Sequence, residues 1–293
     1  MPRPARPYRS LLYIPASKAR ALEKARSLAA DGIIFDLEDA VAVEEKANAR
    51  ALLVETLAEG GYAPRAQILR LNGQETAWGA DDLAAVMEGG PEAVLLPKIE
   101  GPAQIEAVAA KLDAHPACAD TRIWAMMETP RAPFAALEIA HAPRMAGFVM
   151  GTNDLAKDLG TRFRPDRLPL QWALQACLAA ARDAGIACID GVYNAFKDAD
   201  GLRAECEQGR DLGMDGKTLI HPAQIDIANA VFAPTQDEIA LARRQIDAYE
   251  EARARGEGVA VVDGKIVENL HVDTARATLA QAAAIQALGK EAA

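Results

Sequence analysis

The chain has 293 residues, of which 51% are hydrophobic and 25% are charged, and its formal net charge is −10. This apolar fraction excludes a disordered chain. The acidic balance excludes nucleic-acid binding as the main function, because phosphate contacts need clustered Lys and Arg. Without a run of about 18 apolar residues we expect no membrane span. The four cysteines form no CxxC pair and the N-terminus has no apolar signal sequence, which predicts a reduced, cytoplasmic protein.

Eight short apolar runs predict buried β-strands. In chain order they are LLYI (11–14), GIIFD (32–36), QILRL (67–71), AVLLP (93–97), IWAMM (123–127), GFVM (147–150), IACID (186–190) and KTLI (217–220). Continuous rather than alternating apolar runs are typical of parallel strands that are buried on both faces. The runs begin on average about 29 residues apart, which is the length of a β-turn-α unit.

The segments between these runs carry helical patterns. Residues 19–30 and 105–115 are rich in Ala and Leu at helical spacing. Gly185 and Gly213 stand where a helix would end before the next strand. Eight such repeats within about 225 residues predict an α/β fold, a TIM (β/α)8 barrel. An open doubly wound sheet is the alternative, because it has the same alternation of strands and helices.

The pattern changes near the C-terminus, which predicts a barrel domain over 1–234 and a C-terminal extension over 235–293. Residues 235–255 predict a helix that opens on a capping signal. A hairpin is predicted to turn at Asp263-Gly264, and a final Ala-rich helix is expected from His271. Because a closed barrel does not need this extension, we expect it to form a lid or a subunit contact.

Ionisable side chains follow almost every predicted strand. In a barrel these carboxyl ends converge on one mouth, where such enzymes place their chemistry. Glu128 and Asp154 follow the adjacent fifth and sixth strands, so they can share one coordination sphere. Two oxygen donors without a neighbouring His or Cys predict a Mg²⁺ site completed by water and substrate oxygens. The alternative is that each carboxylate caps a helix or pairs with Arg131 or Lys157.

Arg70 lies inside an apolar strand, where a charged residue is costly unless it is paired. Its planar guanidinium suits a carboxylate or an enolate oxygen. The alternative is a structural salt bridge to Glu38 or Asp39. Together with Asp36, these two acids predict a cluster that supports catalysis by orienting Arg70 and metal-bound water, or else a cap on the next helix.

Two further groups belong to the eighth predicted strand. Lys217 and His221 flank this strand, and we expect them near the same mouth. His221 precedes Pro222 and is expected to hydrogen-bond within its own turn. The four cysteines are expected to be small buried residues.

Seven motifs carry a resemblance to a known family. They are RSLLYIPAS (9–17), FDLEDAV (35–41), LRLN (69–72), LPKIEG (96–101), METPRA (127–132), GTNDLA (151–156) and GKTLIHPAQI (216–225). In this order, over nearly the whole chain, they resemble the HpcH/HpaI aldolase superfamily, in the branch of citrate lyase β-subunit-like and malyl-CoA lyase-like proteins. One such motif would be a weak signal, whereas seven in order are specific.

The resemblance implies a TIM barrel whose C-terminal extension reaches a neighbouring subunit of a homotrimer or homohexamer. It implies that Glu128 and Asp154 bind Mg²⁺ or Mn²⁺ and that Arg70 contacts the substrate carboxylate or the developing enolate. Glu268 stands where relatives carry an acid/base Asp, and it is one methylene longer.

The resemblance also implies a CoA thioester as substrate. In the segment after the first strand, where relatives often have Gly and Arg-Pro, this chain keeps positive charge at Lys18 and Arg20. The residues expected to contact the substrate or CoA are Lys18, Arg20, Asp36, Arg70, Lys98, Ile220, His221 and Pro222.

The activity implied is Mg²⁺-dependent cleavage of a carbon–carbon bond in a 3-hydroxyacyl-CoA. Malyl-CoA, β-methylmalyl-CoA and citramalyl-CoA are substrates of this type, and the products are an acyl-CoA and a 2-oxoacid. The alternatives are a malyl-CoA thioesterase, a citrate lyase β subunit that acts on a carrier-bound thioester, a CoA-independent 2-oxoacid aldolase and a non-catalytic binding protein.

Overall fold

A computed structural model describes residues 6–291. Residues 1–5, part of the N-terminus for which the sequence predicts no signal sequence, and residues 292–293 lie outside the described part. In the described chain, no helix combines the length and apolar character needed to cross a membrane. The chain divides into two compact units, one comprising Tyr8–Phe232 and one containing the segment that begins at Ala233.

Eight parallel strands form a closed barrel in sequence order. They are β1 (Ser10–Pro15), β2 (Gly32–Asp36), β3 (Ala66–Arg70), β4 (Ala93–Leu96), β5 (Arg122–Met127), β6 (Met145–Met150), β7 (Ala187–Asp190) and β8 (Gly216–Leu219). Strand β1 pairs with both β2 and β8, so the sheet has no free edge. The predicted TIM barrel is confirmed, and the open doubly wound sheet is excluded.

Nine α-helices accompany the barrel strands in the first unit as the structure describes it. They are α1 (Ala19–Ala25), α2 (Lys46–Glu59), α3 (Gly79–Met87), α4 (Pro102–Asp113), α5 (Ala136–Ala140), α6 (Thr152–Asp158), α7 (Gln171–Ala184), α8 (Ala199–Leu212) and α9 (Ile225–Phe232). Gly185 and Gly213 end α7 and α8 in the left-handed conformation, as predicted.

Helix α1 ends five residues before the predicted boundary at residue 30. The carbonyl of Leu28 accepts a hydrogen bond from the Arg65 side chain at 2.5 Å. The carbonyl of Ala29 accepts one from the Asn229 amide at 2.8 Å. Side chains from elsewhere in the fold therefore bind the segment that follows α1, and tertiary contacts override the local helical preference.

The strands are buried on both faces, which explains why their sequences are continuously apolar. The side chains that fill the barrel interior include Leu11, Ile34, Ile68, Leu95, Trp124, Val149 and Ile189. A second layer, between the strands and the helices, includes Leu12, Ile33, Phe35, Leu69, Val94 and Phe148. Each such residue stabilises the barrel by about 1.5–3 kcal/mol relative to an exposed side chain.

The four cysteines are free and buried, as predicted, so they contribute packing. Burial raises the pKa of the Cys177 thiol and of the Cys206 thiol to about 12, and thiols in this state are poor nucleophiles at neutral pH.

The second unit contains a helix, a hairpin and another helix, as predicted. Its elements are α10 (Gln236–Ala254), β9 (Ala260–Val262), β10 (Lys265–Val267) and α11 (Asn269–Glu291). Thr235 and Glu238 form a reciprocal capping box at the start of α10. Asp263 and Gly264 have φ values of 50° and 75°, the positive values that a tight two-residue hairpin turn requires. Helix α11 begins two residues before the predicted start at His271.

Candidate active site

The carboxyl ends of the strands enclose a cavity of about 310 Å³, referred to below as the acid-lined cavity. Its lining includes Tyr13, Asp36, Asp39, Arg70, Glu128, Asp154 and Ile220. These side chains come from the ends of β1, β2, β3, β5, β6 and β8 or from the turns that follow them. The barrel therefore brings six of the predicted site residues to one cavity at its mouth.

Arg70 is held chiefly by Asp36. The two residues are paired in the register between β2 and β3, and the Asp36 carboxylate accepts from Arg70 Nε at 2.7 Å and from Nη2 at 2.5 Å. Nη1 also lies 2.8 Å from Glu38 Oε2 and 3.3 Å from Asp39 Oδ2. The predicted salt bridge thus exists, but its main partner is Asp36, because register sets it directly opposite. Although burial alone would lower the pKa of Arg70, these acids raise it, so the guanidinium stays charged.

Tyr13 fixes the guanidinium from a second side. The Arg70 Cζ atom lies 4.9 Å from the centre of the Tyr13 ring, in cation–π contact. The Tyr13 hydroxyl lies within 4.0 Å of the Met126 sulfur. Burial raises the pKa of Tyr13, so its hydroxyl is neutral and can donate to a ligand. Tyr13 was not among the predicted site residues, because an aromatic residue within an apolar run is typical of a buried core. Its position near the carboxyl end of β1 is the signal that could have identified it.

Glu38 is buried behind Arg70. Burial raises its pKa from an ordinary 4.5 to about 8, although the neighbouring Arg70 opposes the shift. The carboxyl group therefore titrates near neutral pH. Both catalytic acid/base groups and buried structural ion-pair networks have this property.

The raised pKa of Glu38 predicts a pH-dependent stability. A carboxyl whose pKa is higher in the folded state takes up a proton on folding. Its stabilising contribution is complete below about pH 4.5 and is lost as the pH rises through about 8. We expect Glu38→Gln to flatten the pH dependence of the free energy of unfolding in this interval, as measured by urea denaturation without divalent cations. The exposed Glu44→Gln is the control, and an unchanged slope in Glu38→Gln would contradict the assignment.

Glu128 and Asp154 share one cation, the ammonium of Lys98. Lys98 Nζ lies 2.5 Å from Asp154 Oδ2 and 3.9 Å from Glu128 Oε1. Burial raises the pKa of Glu128, whereas Lys98 lowers it. For Lys98 the effects are opposite. Burial alone would lower its pKa, but the two carboxylates raise it by more, so the pKa is higher than usual. The sequence left open that Arg131 or Lys157 would pair with these carboxylates. In the structure their partner is Lys98, which lies two residues after β4.

The backbone around Glu128 is shaped for this carboxylate. Lys98 has a φ of 51°, a left-handed conformation that is rare for a residue with a side chain. Its main-chain N–H donates to Glu128 Oε1 at 2.8 Å. Gly151 closes the other side, because a Cβ there would lie 2.3 Å from Glu128 Cβ. Glu128 is therefore held in place by two neighbouring segments before any ligand binds.

The donor chemistry of this pair fits a hard divalent cation. Carboxylate oxygens from two residues converge on one positive charge, and Mg²⁺ commonly binds one or two carboxylates while it keeps several waters. Within residues 6–291, no group of three or more His, Cys, Asp or Glu side chains is placed to hold a metal ion. The remaining ligands would therefore be oxygens of water and substrate.

Comparison with known proteins assigns the chain to a family. Residues 9–222 match the profile described as HpcH/HpaI aldolase/citrate lyase. The chain belongs to the HpcH/HpaI aldolase/citrate lyase family. A (3S)-malyl-CoA thioesterase of Cereibacter sphaeroides (strain ATCC 17029 / ATH 2.4.9) is 62% identical over 283 residues, covering 97% of each chain. The citrate lyase subunit beta of Escherichia coli (strain K12) is 36% identical over 96% of this chain and 95% of its own.

A solved structure extends the comparison to the fold. The CitE protein of Mycobacterium tuberculosis, in complex with magnesium, acetoacetate and coenzyme A, has a TM-score of 0.77 and 30% sequence identity. The comparison covers 95% of this chain and 98% of that one. The relatives are enzymes, so the family assignment makes this chain a member of an enzyme family with a citrate lyase β-like barrel.

The remaining predicted contacts have different surroundings. Lys18 and Arg20 are exposed at the start of α1, and Ile220 lines the acid-lined cavity. His221 accepts a hydrogen bond from the Ala223 N–H, which confirms the expected bond within its turn. Its ring stacks on Phe196, with the centres 4.7 Å apart.

Two further predicted residues lie at the starts of helical segments. Pro222 follows His221 as the first residue of a short 3₁₀ turn. Glu268 is exposed in the second unit, just before α11, where its N–H donates to His271 Nδ1 at 3.0 Å. Their functions remain predictions.

Lys217 was predicted to lie at the barrel mouth. The structure instead places its side chain in a buried cluster of charged groups. Its side chain is fully buried, with Nζ 3.1 Å from Asp190 Oδ2 and 2.7 Å from Glu205 Oε1. Arg167 Nη1 completes the cluster at 2.6 Å from Asp190 Oδ1. The prediction was wrong because Lys217 lies within β8 and not at its end, and because Arg167 and Glu205 come from distant parts of the sequence.

Proposed function

We propose that the chain is a Mg²⁺-dependent enzyme that acts on a malyl-CoA-type 3-hydroxyacyl thioester, and that hydrolysis of the thioester is its main reaction. The supporting observation is the 62% identity to a (3S)-malyl-CoA thioesterase over 97% of both chains. The family resemblance in the sequence favours carbon–carbon cleavage, with hydrolysis as an alternative. The similarity to the thioesterase reverses that order.

We propose that Glu128 and Asp154 bind the metal ion, with Mn²⁺ as a substitute for Mg²⁺. Their shared contact with one ammonium supports this role, and so does the magnesium complex of the M. tuberculosis CitE protein. When bound, the ion supplies a Lewis acid for the carboxylate and the adjacent oxygen of the substrate. Lys98 would then be displaced from Asp154 and would be free to contact substrate or CoA.

Arg70 is the group proposed to bind the acid end of the substrate. It is buried, permanently charged and already oriented by Asp36 and Tyr13, so little reorganisation is needed when an anion enters. Glu38 and Asp39 are proposed to maintain this orientation during catalysis. The 310 Å³ volume of the acid-lined cavity is compatible with a small polar acid.

In the proposed hydrolysis, the oxygen of a water molecule attacks the thioester carbonyl carbon and the C–S bond breaks. A carboxylate accepts one proton from the water, and the leaving thiolate of CoA takes up a proton. We propose Glu268 of a neighbouring subunit as that carboxylate, in a homotrimer or homohexamer. Lys18, Arg20, Ile220, His221 and Pro222 are proposed to contact CoA.

Carbon–carbon cleavage is the second candidate, because 36% identity links the chain to the citrate lyase subunit beta. In that reaction the bond between the hydroxyl-bearing carbon and its neighbour breaks, releasing a 2-oxoacid and an acyl-CoA enolate. Arg70 would stabilise the enolate charge. Glu268 would accept the proton of the hydroxyl group and return a proton to the enolate carbon, which gives the acyl-CoA.

Product analysis separates the two candidates. The protein is incubated with Mg²⁺ and (3S)-malyl-CoA, and the products are identified by mass spectrometry and by thiol titration. Malate and free CoA thiol in equal amounts support hydrolysis. Glyoxylate and acetyl-CoA without free thiol support cleavage and overturn hydrolysis as the main reaction. Failure to convert this ester or its methylated homologues overturns both.

The role of Glu268 can be tested separately. We expect Glu268→Gln to lower kcat by about 10²–10⁴-fold, the usual contribution of a general acid or base, with KM changed little. The exposed Glu257→Gln, in the same unit, is the matched control. Steady-state kinetics at several pH values would measure the effect, and wild-type kcat in Glu268→Gln would rule out the proposed proton transfer.

A further inference from the structure

A second cavity, of about 460 Å³, lies beside the acid-lined cavity. It is enclosed by α6, by the segment 159–170, by the segment 191–198 and by α8, and it is called the apolar cavity here. Its walls include Ala156, Phe163, Pro165, Leu170, Val192 and Ala204. The lining also includes Arg162, Arg164 and Arg167, and its apolar side chains favour an aliphatic group.

The two cavities are neighbours that share part of their lining. Thr152, Asn153, Val192 and Asn194 line both of them. Asn153 Nδ2 donates to Asn194 Oδ1 at 3.2 Å, and Asn194 Nδ2 donates to Asn153 Oδ1 at 2.8 Å. This amide pair joins two segments at the shared lining. Two side-chain hydrogen bonds with an exposed partner can exchange with water, so the pair can open without breaking a strand or helix.

Two of the charged groups in the lining of the apolar cavity, Arg167 and Glu205, are paired within the protein. Arg167 donates to Asp190 at 2.6 Å and to Gln208 at 2.5 Å, and Glu205 accepts from Lys217 at 2.7 Å. These groups belong to the buried charge cluster and hold the floor of the cavity in place. The cavity therefore provides space and apolar surface next to a site that recognises a small acid.

The position of the apolar cavity indicates which end of a substrate would enter it. Asn153 precedes Asp154, one of the two carboxylates proposed to hold the metal and hence the acid end of the substrate. The proposed CoA contacts Lys18 and Arg20 instead follow β1. A chain that leaves the acid end toward Asn153 would thus enter the apolar cavity.

We infer that the apolar cavity is a second substrate compartment, which takes the aliphatic chain of a 2-oxoacid or of the corresponding 3-hydroxyacyl group when the Asn153–Asn194 pair opens. This inference rests on the proposed function. It extends the substrate class from two- and three-carbon 2-oxoacids to longer homologues.

The test uses binding, so that it does not depend on turnover. Glyoxylate, pyruvate, 2-oxobutanoate and 2-oxohexanoate are titrated into the full chain with saturating Mg²⁺ in a calorimeter. Burying one methylene is worth about 0.8 kcal/mol, so the wild-type Kd should fall about threefold to fourfold for each methylene added. Ala204→Phe and Ala195→Phe fill the cavity from two different segments, and Ala199→Phe, exposed on α8 outside the cavity lining, is the control.

The inference is supported if the chain-length dependence is present in wild type and in Ala199→Phe, and is lost in both filling variants while their Kd for glyoxylate stays unchanged. It is overturned if the wild-type Kd does not depend on chain length, if the dependence survives both fillings, or if filling weakens glyoxylate equally. In the first two cases glyoxylate binding leaves the proposed function standing. If none of the four acids binds, the inference fails, whereas the proposed hydrolysis is decided separately by the product analysis with (3S)-malyl-CoA.

Discussion

Replacing Glu128 by Gln, or Asp154 by Asn, is expected to abolish conversion of a malyl-CoA-type thioester while the barrel stays folded. Each change keeps the size of the side chain but removes one of the two carboxylate charges that share a cation. Loss of metal-assisted stabilisation of several kcal/mol corresponds to a decrease in kcat/KM of at least about 10³-fold.

The fold should tolerate both changes for a physical reason. Burial raises the pKa of Glu128, which means that the fold already bears a cost for its charge. A neutral amide of the same shape can still accept the Lys98 N–H, and Lys98 Nζ keeps the other carboxylate as a partner in either variant. The free energy of unfolding should therefore change by less than about 1.5 kcal/mol.

The measurement is product formation by mass spectrometry with Mg²⁺, together with thermal unfolding of each variant. Asp158→Asn is the matched control, since Asp158 lies on α6 with Asp154 but is exposed outside the cavity lining. Full activity of either Glu128→Gln or Asp154→Asn would contradict the metal assignment.

Lys217→Met is expected to lower the free energy of unfolding by about 3–5 kcal/mol, the usual cost of removing one partner from a buried ion pair. Lys217 and Asp190 are both fully buried, and Glu205 depends on the same ammonium. Methionine fills similar space but leaves Asp190 with Arg167 as its remaining cationic partner in the cluster. The charge that remains cannot be hydrated at this depth.

The same cluster predicts a sensitivity to acid. Burial alone would raise the pKa of Asp190, but Lys217 and Arg167 outweigh it, and the pKa lies below its ordinary value of 3.8. The depressed pKa stabilises the fold above about pH 4, and this contribution is lost as the pH falls through the folded-state pKa. Because Lys217→Met weakens that depression, the variant should lose less stability than wild type on acidification.

Urea denaturation at pH 7 and at pH 3 measures both effects. Arg244→Met is the control, because it breaks an exposed pair with Asp263 and should cost less than about 1 kcal/mol. A Lys217→Met variant as stable as this control at pH 7 would show that the buried cluster contributes little to the stability of the barrel.

Much of the fold was predictable because it depends on local patterns. Burial on both faces makes each barrel strand a continuous apolar run, and the helices between strands have their own periodicity and C-terminal glycines. The hairpin in the second unit was equally local, since Asp263 and Gly264 suit its turn. The end of α1 was not predictable from the local pattern, and distant side chains bind the segment that follows it.

The candidate site was predictable in its residue types but not in its pairing. Glu128, Asp154 and Arg70 were identified because charged groups at the ends of apolar strands have few structural uses in a barrel. Their partners Lys98 and Asp36 depend on strand register and on a left-handed backbone turn, which the sequence does not display.

The sequence by itself determined that eight apolar runs build one barrel and that a set of acids and one arginine gather at its mouth. The reason is that burial of a strand makes a run of neighbouring residues apolar, and the order of the strands places the residues that directly follow them at one mouth. Only the tertiary structure decided that Asp36 holds Arg70, that Lys98 lies between two carboxylates, that Lys217 is buried in a charge cluster and that an apolar cavity adjoins the site. These features join residues far apart in the chain, and their energies depend on distance, burial and dielectric, which exist only after folding.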